Sequence, residues 1–190
     1  MRPTERIKEA QRVLEAEANA IFASSKKISL NFSKCIDLII DCKGTVVISG
    51  IGKSGNIGKK ITSTLASLGT PSIFLHTSDA FHGDLGILRK DDLLICISNS
   101  GETDELVRLL NYAKRNGIKS IAITGNVNST ISKEASISLN SSVESEACPL
   151  NLAPTCSTSV TMALGDALAS ICAMERGFKE IDFARFHPSG

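Results

Sequence analysis

The chain has 190 residues, 42% of them hydrophobic, which suits one domain with a sizeable core and excludes a disordered segment. Its 21 basic and 20 acidic residues leave a net charge of +1, so there is no basic field for nucleic acid, which is excluded as a partner. The N-terminus, Met1-Arg2-Pro3-Thr4-Glu5-Arg6, continues as a charged amphipathic helix and is no secretion signal, and no apolar stretch of about 18 residues stands out; a cytoplasmic chain without a membrane partner is expected.

A helical repeat at Ile7, Ala10, Leu14 and Ile21, and a second at Phe32, Ile36, Ile39 and Ile40 after the polar break Ser24-Ser25-Lys26-Lys27, predict two N-terminal helices within residues 1–44. The β-branched run Thr45-Val46-Val47-Ile48-Ser49 reads as a strand, and a Gly-rich turn then opens a helix from about Ser54 to Leu68 that closes at Gly69. Strand signals recur at Ser72 to Leu75, Leu93 to Ile97, Ser120 to Ile123 and, more weakly, Ile137 to Leu139, with helix-length sequence between them, including a helix from about Asp104 to Asn116. Parallel strands with crossover helices follow, an α/β domain over residues 45–190. A helix of small residues from about Ser157 to Arg176 stops at Gly177, ahead of the tail Phe183-Ala184-Arg185-Phe186-His187-Pro188-Ser189-Gly190.

The stretch Ser98-Asn99-Ser100-Gly101-Glu102-Thr103 falls between a buried strand and the start of a helix. A helix N-terminus carries unpaired N–H groups and a partial positive charge, so hydroxyls and a flexible glycine placed there form a cradle for phosphate. An ordinary capped turn uses the same residue types. An earlier turn, Gly50-Ile51-Gly52-Lys53-Ser54-Gly55, has dinucleotide spacing, but the next strand ends Phe74-Leu75-His76 without the acid that would hold a ribose. Nor is it a phosphate loop of the Walker type, since Val47 stands where that motif needs glycine. What remains is an ammonium, Lys53, at a strand's carboxyl end, where it should face an anion.

Six cysteines (Cys35, Cys42, Cys96, Cys148, Cys156 and Cys172) show no Cys-x-x-Cys spacing, and most fall in apolar runs, so reduced core thiols are expected; only Cys148 lies in a polar segment near a candidate site. His187 stands in a terminal segment, His82 in a loop before Gly83-Asp84, and His76 at a strand end. No helical His-x-x-x-His pair or Cys cluster supports a required metal.

The two loops, taken in order with Phe81-His82-Gly83-Asp84-Leu85-Gly86, Glu146-Ala147-Cys148-Pro149-Leu150, Leu152-Ala153-Pro154-Thr155 and His187-Pro188, resemble the arabinose 5-phosphate isomerases of the sugar isomerase (SIS) family over residues 45 to 190. The resemblance implies a flavodoxin-like, three-layer αβα sandwich with about five parallel strands, and residues 1–44 as extra helices packed on it. It implies reversible interconversion of D-arabinose 5-phosphate and D-ribulose 5-phosphate, feeding 3-deoxy-D-manno-octulosonate synthesis for lipopolysaccharide or capsule, with no required cofactor. Many members carry a pair of CBS domains after the His-Pro segment, and this chain resembles the isomerase domain alone.

By matching position, the resemblance makes Lys53, Glu105, Glu146 and His187 the catalytic set. Ser54, Gly69, Thr70, His82, Ser98, Asn99, Ser100 and Thr103 then contact the substrate, and His76 captures an inhibitory zinc ion. It implies a homo-oligomer, a tetramer being favoured, in which His187 docks on a neighbouring subunit. The residue chemistry agrees: moving a proton between carbons 1 and 2 through an enediolate needs a base, a partner for the oxygen protons and a cation for developing charge. Lys53 suits the last role, Glu146 is preferred as the carbon base, and Glu105 either orients the sugar or complements the helix dipole. Departures from the family pattern are Ser145, where a lysine is usual before the acid, and Ser189-Gly190, where Gly-Gly is usual. A hexulose- or heptulose-phosphate isomerase and a non-catalytic phosphosugar-binding module are the other readings.

Overall fold

The computed structural model describes residues 1–188, so the expected departure at Ser189-Gly190 lies outside the described residues. Five parallel strands, β1 (Val46–Gly50), β2 (Ser72–Phe74), β3 (Leu93–Ile97), β4 (Lys119–Thr124) and β5 (Ile137–Asn140), form one sheet in the order β2-β1-β3-β4-β5. The helices are α1 (Pro3–Ser25), α2 (Leu30–Asp41), α3 (Gly52–Ser67), α4 (Thr77–Ala80), α5 (Asp104–Arg115), α6 (Thr130–Glu134), α7 (Cys156–Glu175) and α8 (Glu180–Phe186), with a short 3-10 turn at Asp84–Ile87. This is the expected α/β sandwich, and its strand order is the flavodoxin-like one.

The central strands are unbroken apolar runs because both faces of the sheet are covered. Val46, Ile48, Ile95, Ile97, Ile121 and Ile123 face one core with α2, α3 and α7. Val47, Leu94, Cys96 and Ala122 face the other with Leu106, Leu109 and Leu110 of α5 and Ile131 of α6. Register alternates side chains across the sheet, with Val47 opposite Leu94 and Ile48 opposite Ile95. Helices α3 and α7 approach closely enough that a Cβ on Gly165 would lie 2.4 Å from Ile61, and Lys60 pairs with Asp166 across the same contact.

Two expectations are corrected, and packing sets the face of a third element. The repeat that predicts α1 is turned outward, with Ile7 59%, Leu14 69% and Ile21 39% exposed, because α1 lies along α7 by another face, that of Val13, Ala16, Ala20 and Ser24, where Ala20 packs on the core. The run Cys156–Glu175 is, by length and composition, apolar enough to cross a membrane; here it is the core helix α7, with Val160, Leu164, Leu168 and Cys172 buried under the sheet. Helix α3 starts at Gly52 rather than Ser54, which puts Lys53 in its first turn. The short elements α4, α6 and α8 leave no mark in the sequence, since four to seven residues are too few for a 3.6-residue period to show. All six cysteines are free, and Cys35, Cys96, Cys156 and Cys172 are buried as expected.

Candidate functional site

In a parallel sheet every strand ends at the same edge, and the chain changes direction between β1 and β3, so the loops after these strands flank a ready-made crevice. Both loops picked out in the sequence, the Gly-rich turn from Gly50 and the hydroxyl-rich loop from Ser98, are there. The loop after β3 is built from its own hydroxyls. Ser98, 4% exposed, accepts the Gly101 N–H at 3.0 Å, and its hydroxyl lies 2.9 Å from that of Thr103. Thr103 is the N-cap residue of α5, yet its side chain makes no cap hydrogen bond. The first N–H groups of α5 therefore stay open, with exposed Ser100 beside them, which is what an external anion requires.

Two side contacts hold this loop in place. Gly101 has φ +71°, and a Cβ there would fall 2.0 Å from the Ser129 hydroxyl, so only glycine lets the loop lie against the start of α6. Glu102, which sequence reasoning passed over, accepts the Thr130 hydroxyl at 2.6 Å and the Thr130 N–H at 2.9 Å. Those bonds hold its carboxyl below the usual range.

Helix α3 also lacks a side-chain cap at its N-terminus, and Lys53 sits exposed in its first turn without an ion pair among the described residues. Lys53, Ser54 and Asn99 share one cleft with Pro154, from the Leu152-Ala153-Pro154-Thr155 stretch, and with Ser157 and Thr158 of the α7 start, which the sequence did not mark as site residues. Asn99 contributes its backbone as well, its carbonyl accepting the Gly125 N–H at 3.1 Å to tie the loop to β4.

Glu146 is bonded to the start of α7, whose Ser157 lines this cleft. One of its oxygens, Oε2, accepts the N–H of Thr155 at 2.8 Å, the hydroxyl of Thr155 at 3.1 Å and the N–H of Ser157 at 3.1 Å. Partial burial pushes its pKa up, but the hydrogen bonds from Ser157 and Thr155 outweigh that and hold it below the ordinary value. The carboxylate stays ionised, with Oε1 left out of these bonds. Its backbone N–H donates to the Asn151 side chain at 2.6 Å, and Asn151 itself holds φ 53°, the left-handed region asparagine tolerates. Cys148 stabilises the same turn: its sulfur accepts N–H groups from Ala153 and Leu152, which lower the thiol's pKa.

Glu105 is half-buried in the first turn of α5, next to the loop of Ser98 to Thr103. His82 is exposed in the loop after α4, which Arg108 of α5 holds by stacking 4.3 Å over Phe81. His76 is the residue before α4, half-buried, with its Nδ1 enclosed and unpartnered. No group of three or more His, Cys, Asp or Glu that could hold a metal occurs among the described residues, so His76 offers a zinc ion one ligand.

Three expected site residues are not brought to this crevice within the chain. Gly69 and Thr70 follow α3 and precede β2, at the edge where strands begin; α3 spans 16 residues, about 24 Å at 1.5 Å per residue. Thr70 is 1% exposed and its hydroxyl accepts from Arg176, while Gly69, at φ +86°, leaves room for the Phe178 ring. His187 belongs to this second cluster. Its ring stacks on Phe183 at 3.9 Å and its Nδ1 lies 3.0 Å from the Phe183 carbonyl, while neighbouring Phe186 stacks on Phe178. The residues assigned by resemblance thus divide between two edges of the sheet, because α3 and α7 each run its full depth.

Comparison with known proteins matches this architecture. The SIS domain model matches residues 38–171. Arabinose 5-phosphate isomerase KdsD of Pseudomonas aeruginosa is 50% identical over 184 residues, 97% of this chain and 56% of its own length. Arabinose 5-phosphate isomerase KpsF of Escherichia coli O6:H1 is 49% identical over 185 residues, 97% of this chain and 57% of its own length. The chain thus spans little more than half the length of the curated relatives it matches. Among solved structures, the protein c3406 of E. coli CFT073 in complex with arabinose 5-phosphate superposes with a TM-score of 0.95 at 38% identity, covering 99% of this chain and all of that one. With relatives half identical along nearly its whole length and a domain match over most of it, the chain belongs to the SIS family.

Proposed function

We propose that this chain interconverts D-arabinose 5-phosphate and D-ribulose 5-phosphate through an enediolate. The observation that carries the reading is the open N-terminus of α5 beside Ser98, Ser100 and Thr103, in a loop whose Asn99 shares a cleft with Lys53 and with Ser157, the residue whose N–H donates to the Glu146 carboxylate. The substrate phosphate sits on the α5 N–H groups and the loop hydroxyls, and Ser54, Asn99 and His82 flank the sugar. A base removes the proton from carbon 2 of the open-chain aldose, and the same proton returns to carbon 1 of the ketose. Meanwhile the hydroxyl proton on oxygen 2 moves to oxygen 1. Glu146 is the carbon base, Lys53 neutralises the enediolate oxygen, and Glu105 orients the sugar. This chemistry needs only carboxylate, imidazole and ammonium, so it requires no cofactor, and a zinc ion held by His76 acts as an inhibitor. In this reading the product feeds 3-deoxy-D-manno-octulosonate synthesis for lipopolysaccharide or capsule, and the chain works in the cytoplasm.

A panel of pentose, hexose and heptose phosphates assayed for aldose–ketose exchange tests this. Turnover fastest on arabinose 5-phosphate is expected. A preference for a hexulose or heptulose phosphate, or binding without turnover, would replace the reading.

The second cluster, Gly69, Thr70 and His187, supports a site shared between copies in a homo-oligomer, a tetramer being favoured. Exposed Ile7, Leu14, Ile181 and Phe183 supply apolar surface for such contacts. Co-assembling a His187→Ala chain with a Lys53→Ala chain should restore part of the activity, since some sites then draw both intact residues from different chains. No recovery would place all these groups in one chain's site.

A further inference from the structure

Helix α1 precedes the stretch matched by the SIS domain, yet its side chains reach the loop that carries Glu146 and the start of α7. Arg12 donates from Nη2 to the Ala147 carbonyl at 2.6 Å. Just beyond the helix, Lys27 donates to the Ser142 carbonyl at 2.8 Å and to its hydroxyl at 2.9 Å. Glu17 accepts the hydroxyl of Ser159 in the first turn of α7. These contacts bridge 115 to 142 residues of sequence, so no local pattern announces them.

Ala147 is the peptide unit that sets the direction of Glu146. It is 1% exposed, and its N–H donates to the Thr155 hydroxyl at 2.8 Å, the same hydroxyl that donates to Glu146. Its carbonyl is the remaining polar group, and Arg12 satisfies it from outside the loop. Arg12 is itself held by Glu9, with Nε 2.9 Å and Nη2 2.7 Å from one carboxylate oxygen, so the same Nη2 bridges Glu9 and the Ala147 carbonyl.

We propose that α1 is a positioning element for the site, with Arg12 holding the Ala147 carbonyl so that the Glu146 carboxylate keeps its place on the N-terminus of α7. The inference rests on the role given to Glu146 above. Because the phosphate is held by a different loop, releasing Ala147 disturbs the proton-transfer step and spares binding. A misplacement of about an ångström at a reacting group can cost roughly a hundredfold in rate.

Arg12→Ala is expected to lower kcat on arabinose 5-phosphate about tenfold, with KM within about twofold of the parent. Amide hydrogen exchange across residues 144–157 should rise in the same variant, most at Thr155 and Ser157, whose N–H groups donate to Glu146. Arg12→Lys, which keeps a donor, should recover part of both. Arg2→Ala breaks the Arg2–Glu5 pair on the same helix without touching the loop, and should leave both at parental values. Parental exchange in Arg12→Ala overturns the proposal whatever its kcat, and so do equal changes in Arg2→Ala, which would reduce the effect to helix stability. If the parent turns over none of the phosphosugars, the proposed function fails by itself, and the exchange measurement still decides whether α1 braces the loop.

Discussion

Helices α5 and α7 both begin at the edge where the strands end, and they treat their N-termini in opposite ways. Helix α5 spends its N-cap hydroxyl on Ser98 and leaves its first N–H groups open. Helix α7 receives a carboxylate from its own chain, Glu146, on the N–H groups of Thr155 and Ser157. Each helix end is equivalent to a partial positive charge, so one is ready for an external anion and the other is already occupied. A single physical device thereby serves two ends: in the proposed reading the open terminus takes the substrate's phosphate, and the closed one keeps a carboxylate ionised and in place.

The closed terminus gives the largest expected effect. Glu146→Gln should lower kcat by about 10²–10⁴-fold while leaving KM near the parental value, because it removes a positioned base without touching the phosphate loop. Solvent-deuterium exchange into carbon-bound positions of the substrate checks the assignment directly. Parental exchange in Glu146→Gln together with lost exchange in Glu105→Gln would swap the two roles.

At the open terminus the effect moves to KM. Ser100→Ala or Thr103→Ala each removes a hydroxyl partner of a charged phosphate, worth about 1.5–3 kcal/mol, so KM should rise roughly ten- to a hundredfold. Initial-rate kinetics on the preferred phosphosugar decide it; unchanged KM in both variants would make the loop an ordinary capped turn.

The smallest effect is a shift along the pH axis. Glu146 must be ionised to act as a base, and its pKa is held below the ordinary value. Activity is then full above that pKa and is lost only as the pH falls through it. The acid limb of kcat/KM should therefore lie below the usual glutamate range. Thr155→Val, which removes one of the three bonds to the carboxylate, should move the limb upward. A limb unmoved by Thr155→Val would mean that another group titrates there.

Much of the fold and the centre of the site were legible in the sequence, for local reasons. Leu93 to Ile97 is a strand because its alternate residues enter two cores, which writes an unbroken apolar run into the chain. Ser98 to Thr103 lies where a strand gives way to a helix, so its hydroxyls had to meet a helix N-terminus. Lys53, Ser54 and Asn99 follow by the same rule, since parallel strands with crossover helices gather their loops at one edge. Glu102 was missed because its partner, Thr130, is 28 residues away on a helix too short to show a period.

By itself the sequence determined the order and kind of the main elements, the direction of the strands and the chemistry of the loops, because each depends on residues within one or two turns of one another. Only the tertiary structure decided which helix terminus stays open, since that depends on Thr103 turning to Ser98 and on Glu146 folding back over residues nine and eleven positions ahead. Tertiary packing also decided which face of α1 is covered, because α1 lies along α7 by Val13, Ala16 and Ala20 and leaves Leu14 outside. The depth of the sheet, finally, set His187, Gly69 and Thr70 apart from Lys53, a separation measured along α3 that no motif in the chain encodes.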